Sequence, residues 1–264
     1  MPVRTSRSPD LGLALKTARQ AAAEADRIAM AYFRSSELAV ERKADASPVT
    51  IADRECETVI RDTLQAVFPE HAFYGEEYGQ DGDSDCLWLI DPIDGTRSFI
   101  RGLPFWSVQI ALMIDGELVL GVSSAPAFGE TAWAVNDGPA MIGDRAVAAA
   151  KTDQIEQADV SFGNLRSLAR SSGWQAVGDL VARAARCRGY GDFYSYHRLA
   201  DGGQDAVVES DVNILDIAAL TVICRQAGAR VTDLAGGPIT LDTTSILAAG
   251  PALHDQLLAL FNGR

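Results

Sequence analysis

Trp88-Leu89-Ile90-Asp91-Pro92-Ile93-Asp94-Gly95-Thr96 is the stretch from which the rest of this chain is best read. Leu87 to Ile90 are apolar without interruption, which reads as a buried strand. The run drives into a carboxylate. Pro92 and Gly95 then bend the backbone, and a second carboxylate and a hydroxyl follow. A strand over 86–91 that ends in a sharp turn would fix Asp91 and Asp94 and expose them together. Hard cations suit such rigid, oxygen-only geometry, and Mg²⁺ in particular shares its shell with phosphate and water.

Upstream of this stretch, apolar positions recur at helical spacing across 10–37 and again across 51–68, where Pro69 stops the second helix. Between them lies a polar connection, 38–50, that contains Lys43. A short strand over 71–74 runs into Gly75-Glu76-Glu77. Downstream, Val108–Ile114 and Leu118–Ser124 flank Asp115-Gly116, a type I′ hairpin signal. Thr131–Asn136 and Ala140–Ile142 continue a meander. Helices followed by strands suit an antiparallel sheet covered on one face by helices, an α+β arrangement. From Val160 onward strands and helices alternate in α/β fashion, with a helix over 192–200 and another over 215–227. Ala148-Ala149-Ala150-Lys151-Thr152 offers a soft boundary. The expected parts are an N-terminal subdomain, 10–150, and a C-terminal subdomain, 151–264.

The chain has 264 residues, of which 47% are hydrophobic and 22% charged, ordinary globular usage. No apolar run approaches the roughly 18 residues that span a bilayer. Residues 1–9 read as a loose arm without the apolar segment of a secretory signal. The 4 cysteines are scattered, as expected of reduced thiols in a cytoplasmic protein. A net charge of −13 argues against nucleic acid or an anionic membrane as partner. Bound cations would reverse that sign locally for an anionic substrate.

Other carboxylates sit at element boundaries. Asp53 opens the second helix, Glu76 and Glu77 follow a glycine, and Asp216 opens a late helix. Singly, each has a structural explanation: a helix-dipole partner, a solvated loop or a turn. With Asp91 and Asp94, and one of Glu76 and Glu77, the two helix-start aspartates make five carboxylates able to converge, and a core does not hold such a group without cations.

On Asp53, Gly75-Glu76-Glu77, Asp91-Pro92-Ile93-Asp94-Gly95-Thr96 and Asp216-Ile217-Ala218-Ala219, the chain resembles the inositol monophosphatase-like, Mg²⁺-dependent, lithium-sensitive phosphatase superfamily. The likeness runs in order from about Leu13 to Leu260. It implies a layered αβαβα sandwich of the inositol monophosphatase and fructose-1,6-bisphosphatase type, a homodimer, and hydrolysis of small phosphate monoesters with two or three Mg²⁺ per subunit. By the same resemblance Glu76, Asp91 and the carbonyl of Ile93 hold one ion. Asp91, Asp94 and Asp216 hold a second, with Asp91 bridging. Two such ions, about 3.5–4 Å apart, clamp attacking and leaving oxygens. Thr96, linked to Asp53, orients the attacking water. Glu76 also serves a third, weaker ion, and the amides of Gly95 and Thr96 meet phosphate oxygens. One departure is Leu215, where relatives commonly carry Trp or Tyr; it puts the packing behind Asp216 in question.

The substrate is read from other residues. Tyr190-Gly191-Asp192-Phe193-Tyr194-Ser195-Tyr196, Thr96-Arg97-Ser98-Phe99-Ile100 and Val207-Val208-Glu209 are similar to the histidinol-phosphate phosphatase branch. Asp192 and Glu209 would match the ammonium and imidazole of histidinol phosphate, an ester of histidine biosynthesis, better than they match a neutral polyol. The alternative is that Asp192 caps its helix and Glu209 bonds a hydroxyl. The substrate would then be inositol 1-phosphate, 3′-phosphoadenosine 5′-phosphate or a sugar phosphate. A non-catalytic binding protein on the same fold is the remaining reading, and Leu215 is its only support.

Overall fold

The structure, a computed structural model, describes residues 9–35, 40–42 and 48–263. The arm over residues 1–8 and Lys43 lie outside them. The chain opens with α1 (Leu11–Tyr32), the short pair β1 (Val40–Arg42) and β2 (Pro48–Thr50), and α2 (Ile51–Val67). There follow β3 (Ala72–Gly75), β4 (Gly79–Asp81), β5 (Cys86–Asp94), α3 (Thr96–Ile100), β6 (Ser107–Ile114), β7 (Glu117–Ala125), β8 (Glu130–Val135), β9 (Ala140–Ile142) and β10 (Arg145–Val147). The remainder is β11 (Asp159–Gly163), α4 (Leu165–Arg170), α5 (Trp174–Arg183), β12 (Arg186–Arg188), α6 (Asp192–Ala200), β13 (Ala206–Ser210), α7 (Ile214–Gln226), β14 (Arg230–Thr232), β15 (Ser245–Ala249) and α8 (Pro251–Asn262).

Eight strands form one sheet in the order β10-β9-β8-β7-β6-β5-β3-β4, antiparallel except where β3 runs parallel to β5. Five form a second sheet, β12-β11-β13-β15-β14. Strand β5 lies inside the first sheet and is buried along its whole length. Its side chains alternate between two cores, as the period of a strand requires. Trp88 and Ile90 meet α1 and α2, whereas Leu87 and Leu89 meet α7. The second sheet repeats the pattern: Val207 and Ala248 face α7, and Val208 and Leu247 face α5 and α8. Each large apolar side chain buried this way contributes about 1.5–3 kcal/mol. The result is five layers, αβαβα. Helix α7 lies in the central one, and Ile217 to Cys224 are all buried, so it shows no polar face.

Three expectations need correction. The first sheet is covered on both faces, because α6 and α7 return from the second half of the chain to close it. Pattern alone does not say which sheet a later helix covers. The first helix stops at Tyr32 rather than at 37: Phe33 is extended and Arg34 turns at φ 63°. That break packs the Phe33 ring 5.6 Å from Phe99 and 5.4 Å from Trp106, just behind the turn at Gly95. Finally, β5 does not end at Asp91 but runs on to Asp94. The Asp115-Gly116 hairpin is as expected, with positive φ at both residues. The four cysteines are free thiols. No helix among the described residues is long and apolar enough to cross a membrane.

Candidate active site

A β-bulge builds the carboxylate centre. Asp91 pairs with Gln109 and Asp94 with Ser107, so β5 spends one more residue than β6 over this span. In a regular strand residues three apart face opposite ways. The extra residue turns Asp94 to the side of Asp91. Pro92, which cannot donate to a ladder, is tolerated at the bulge. The turn comes at Gly95, with φ 88°, where a side chain would lie 2.6 Å from the carbonyl of Phe105. Asp91 Oδ1 accepts from the Ile93 amide at 3.0 Å.

Asp216 joins from the first turn of α7. Its two oxygens accept from the Asn213 backbone at 2.8 Å and from the Asn213 side-chain amide at 2.9 Å. The capping residue Asn213 therefore orients Asp216. Leu215 points into the core, so the missing aromatic leaves this arrangement intact. Asp91, Asp94 and Asp216 each offer an oxygen within 4.8 Å of the others. Burial pushes Asp91 and Asp94 well above the usual carboxylate range. For Asp91 the charges of Glu76, Asp94 and Asp216 add to this; for Asp94, those of Asp192, Asp216 and Glu209 do. Burial also carries Asp216 up to about 6. Among the described residues no lysine or arginine neutralises these three groups. A buried, all-oxygen donor set with no protein cation fits hard divalent ions, with the Ile93 carbonyl and Glu76 beside it.

Glu76 follows β3, and its amide donates to the Ile90 carbonyl at 3.2 Å, which sets it against Asp91. The sequence reading missed what holds this turn. Glu57, fully buried on α2, accepts from the amides of Glu77 (2.6 Å) and Tyr78 (3.3 Å) and from Arg61 Nε (2.8 Å). Gly75 makes room for it, since a Cβ there would fall 1.9 Å from Glu57 Oε1. Across the site, Thr96 Oγ1 lies 3.4 Å from Asp53 Oδ1 and 3.1 Å from the Ile93 carbonyl. Asp53 Oδ2 accepts from the Thr50 amide at 2.8 Å and the Thr50 hydroxyl at 2.6 Å.

A small cleft of about 50 Å³ extends from Asp94 and Asp216 to Asn164, Asp192, Tyr196 and Glu209. Asp192 is the first residue of α6 at φ 47°; the capping position is Gly191, and no side chain caps this helix. The helix-cap explanation of Asp192 therefore fails. Glu209 Oε2 accepts from the Tyr196 hydroxyl at 2.8 Å. Burial raises Asp192 to about 6 and Glu209 to about 7. Tyr196 entered the sequence reading only as the end of a motif stretch, with no role of its own; Asn164 was not singled out, and no role was given to His197, which pins α6 in place. Its Nδ1 donates to Glu130 (2.8 Å) and its Nε2 accepts from Ser123 (2.8 Å), while Arg198 grips both oxygens of Glu130. Burial keeps the imidazole pKa below its usual value, consistent with a neutral ring that donates at one nitrogen and accepts at the other.

The five layers hold a buried carboxylate centre suited to divalent ions, and the family that the chain matches makes it a metal-dependent phosphatase, a phosphoric monoester hydrolase. Residues 10–263 match the inositol monophosphatase family, and the chain belongs to it. It is 37% identical to a histidinol-phosphatase of Streptomyces coelicolor, over 97% of this chain and 99% of that one. It is 32% identical to an inositol-1-monophosphatase of Mesorhizobium japonicum, over 84% and 85% of the two chains. Among solved structures, the extragenic suppressor protein SuhB of Bartonella henselae superposes with a TM-score of 0.87 at 28% identity, covering 94% of this chain and 98% of that one.

Proposed function

We propose that this chain hydrolyses L-histidinol phosphate to L-histidinol and inorganic phosphate. Asp91, Asp94, Asp216, Glu76 and the Ile93 carbonyl would hold two or three Mg²⁺. When bound, such ions screen the phosphate charge, stabilise the attacking and leaving oxygens and acidify a water. The chain's own part is positioning. The bulge in β5 and the Asn213 cap fix the carboxylates. The amides of Gly95 and Thr96, at the start of α3, are free of helical partners and suit phosphate oxygens. Thr96 takes a hydrogen bond from the attacking water and turns its own proton toward Asp53, which Thr50 holds in place. Water attacks phosphorus in line: one P–O bond forms, the ester P–O bond breaks, and the alcohol leaves. The enzyme is read as a cytoplasmic homodimer.

The observation that carries the substrate assignment is the wall opposite the phosphate. Two carboxylates beyond the metal ligands, Asp192 and Glu209, line the same cleft as Asp94. A cationic leaving group relieves their mutual repulsion, whereas a neutral polyol does not. The similarity to a histidinol-phosphatase supports the same reading. Inositol phosphate is the competing substrate, since Glu209 could equally accept from a polyol hydroxyl and a relative carries that name. A phosphate-release screen over a panel of monoesters, with and without Mg²⁺, tests the proposal. Histidinol phosphate should be turned over best, and only with the cation. Mg²⁺-independent release would defeat the metal assignment, and a better ester without a cationic group would defeat the substrate.

A further inference from the structure

A second polar groove lies on the other face of the eight-stranded sheet, between α1 and strands β7 and β8. It encloses about 440 Å³ and is lined by Lys16, Arg19, Asp26, Ser124 and Thr131, over a floor that includes Ala22. Positions 12, 15, 16, 19, 22, 23 and 26 recur every three or four residues, so the groove follows one flank of the helix. Its charges are separated. Lys16 and Arg19 stand toward the start of α1, and Asp26 stands roughly 10 Å beyond Arg19 along the axis.

Asp26 is the unusual member. Its Oδ2 accepts from the Ser124 hydroxyl at 2.6 Å, and Ser124 in turn shares a hydrogen bond with Thr131 at 2.9 Å. Its Oδ1 is buried and has no hydrogen-bond partner. Among the described residues no cation pairs with it, and the Arg19 guanidinium lies instead over the Trp133 ring, 4.9 Å from its centroid. Burial raises the carboxyl to about 6. The Asp26 carboxylate thus lines the groove with one hydrogen bond and no counter-charge, and a protonated amine in the groove would supply that charge. The two cations toward the other end of the groove suit an anionic group on the same ligand.

We propose that this groove is a second small-molecule site for a dipolar ligand, an amino acid or an aminoalkyl phosphate. The protonated amine sits on Asp26 and the anionic group lies toward Lys16 and Arg19. Its deep wall is one residue from the helix that carries Asp192: Ser124 faces the groove, and its neighbour Ser123 bonds His197 of α6 on the opposite face.

The test is a thermal-shift screen of the full chain in Mg²⁺ against the proteinogenic amino acids and aminomethylphosphonate, with acetate and ethylamine as single-charge controls, followed by calorimetry. At least one dipolar probe should bind, and neither single-charge control should. Whether it is an amino acid or the phosphonate identifies the anionic group. Asp26→Asn keeps the Ser124 contact and should weaken binding about tenfold or more, and Arg19→Ala should do the same. Both variants should keep phosphatase turnover, which reports that they are folded, and Asp192→Asn should bind the probe as the wild type does. The site is refuted if no dipolar probe binds, if Asp26→Asn binds as tightly as the wild type, or if Asp192→Asn abolishes binding.

Discussion

The two ends of the catalytic cleft are built differently. At the phosphate end, Asp91 and Asp94 come from one bulged strand inside a sheet, and Thr96 follows within two residues. At the leaving-group end, Asp192 and Glu209 come from a helix start and a strand of the second sheet, and they meet only because Tyr196 and His197 lock α6 between the sheets. The first end is set by local backbone geometry and suits a reaction shared across a family. The second depends on long-range packing, and under the proposed function single substitutions there should change which ester is preferred without disturbing the carboxylate centre.

The contrast is broken most severely at the phosphate end. Asp91→Asn should lower kcat/KM by about 10³-fold or more while circular dichroism stays native, because it removes the proposed shared metal ligand but no packing. Next comes Glu57→Gln, one layer back. It leaves volume unchanged but weakens the hold on the Glu76 turn, and a loss of about 10–100-fold in activity or metal affinity is expected. Normal metal affinity in that variant would show that the turn needs no anchor. At the other end, Asp192→Asn should raise KM for histidinol phosphate about tenfold and leave kcat on an uncharged ester nearly unchanged.

The smallest effect is on stability. Asp192 and Asp216 titrate near 6 and Glu209 near 7 in the fold, above their ordinary values of 3.8 and 4.5. The folded chain therefore holds more protons than the unfolded chain between those limits. The stability these groups contribute is full at low pH and is lost as pH rises through 6 to 7. Without divalent cations, the melting temperature should be higher near about pH 5.5 than near about pH 8, and Mg²⁺ should narrow the gap. A gap that Mg²⁺ leaves unchanged would separate these carboxylates from the metal site.

The same contrast explains what could be read from sequence. Asp91, Asp94, Gly95 and Thr96 fall within six residues, so they could be read together as one turn, although the bulge that carries the strand on to Asp94 and the short helix that starts at Thr96 were not read from it. Glu57 was invisible because a glutamate inside an amphipathic helix looks like solvated charge; only Gly75, eighteen residues later, hints that something must approach closely. Tyr196 was legible only as the end of a motif stretch, and nothing local gave it or His197 a role. Their partners, Glu209 and Ser123, lie on strands of different sheets, and no local pattern brings them together. Asn213 was legible in principle as a cap three residues before Asp216. The coverage of the first sheet by α6 and α7 was not legible from pattern, because it depends on where the chain returns.

The most direct test of the account is kcat/KM for histidinol phosphate and inositol 1-phosphate, measured side by side in saturating Mg²⁺ for the wild type and for Asp192→Asn. The wild type should prefer histidinol phosphate by more than about tenfold, and the variant should lose most of that preference. A wild type that prefers inositol 1-phosphate, or a variant with undiminished preference for histidinol phosphate, would contradict the account.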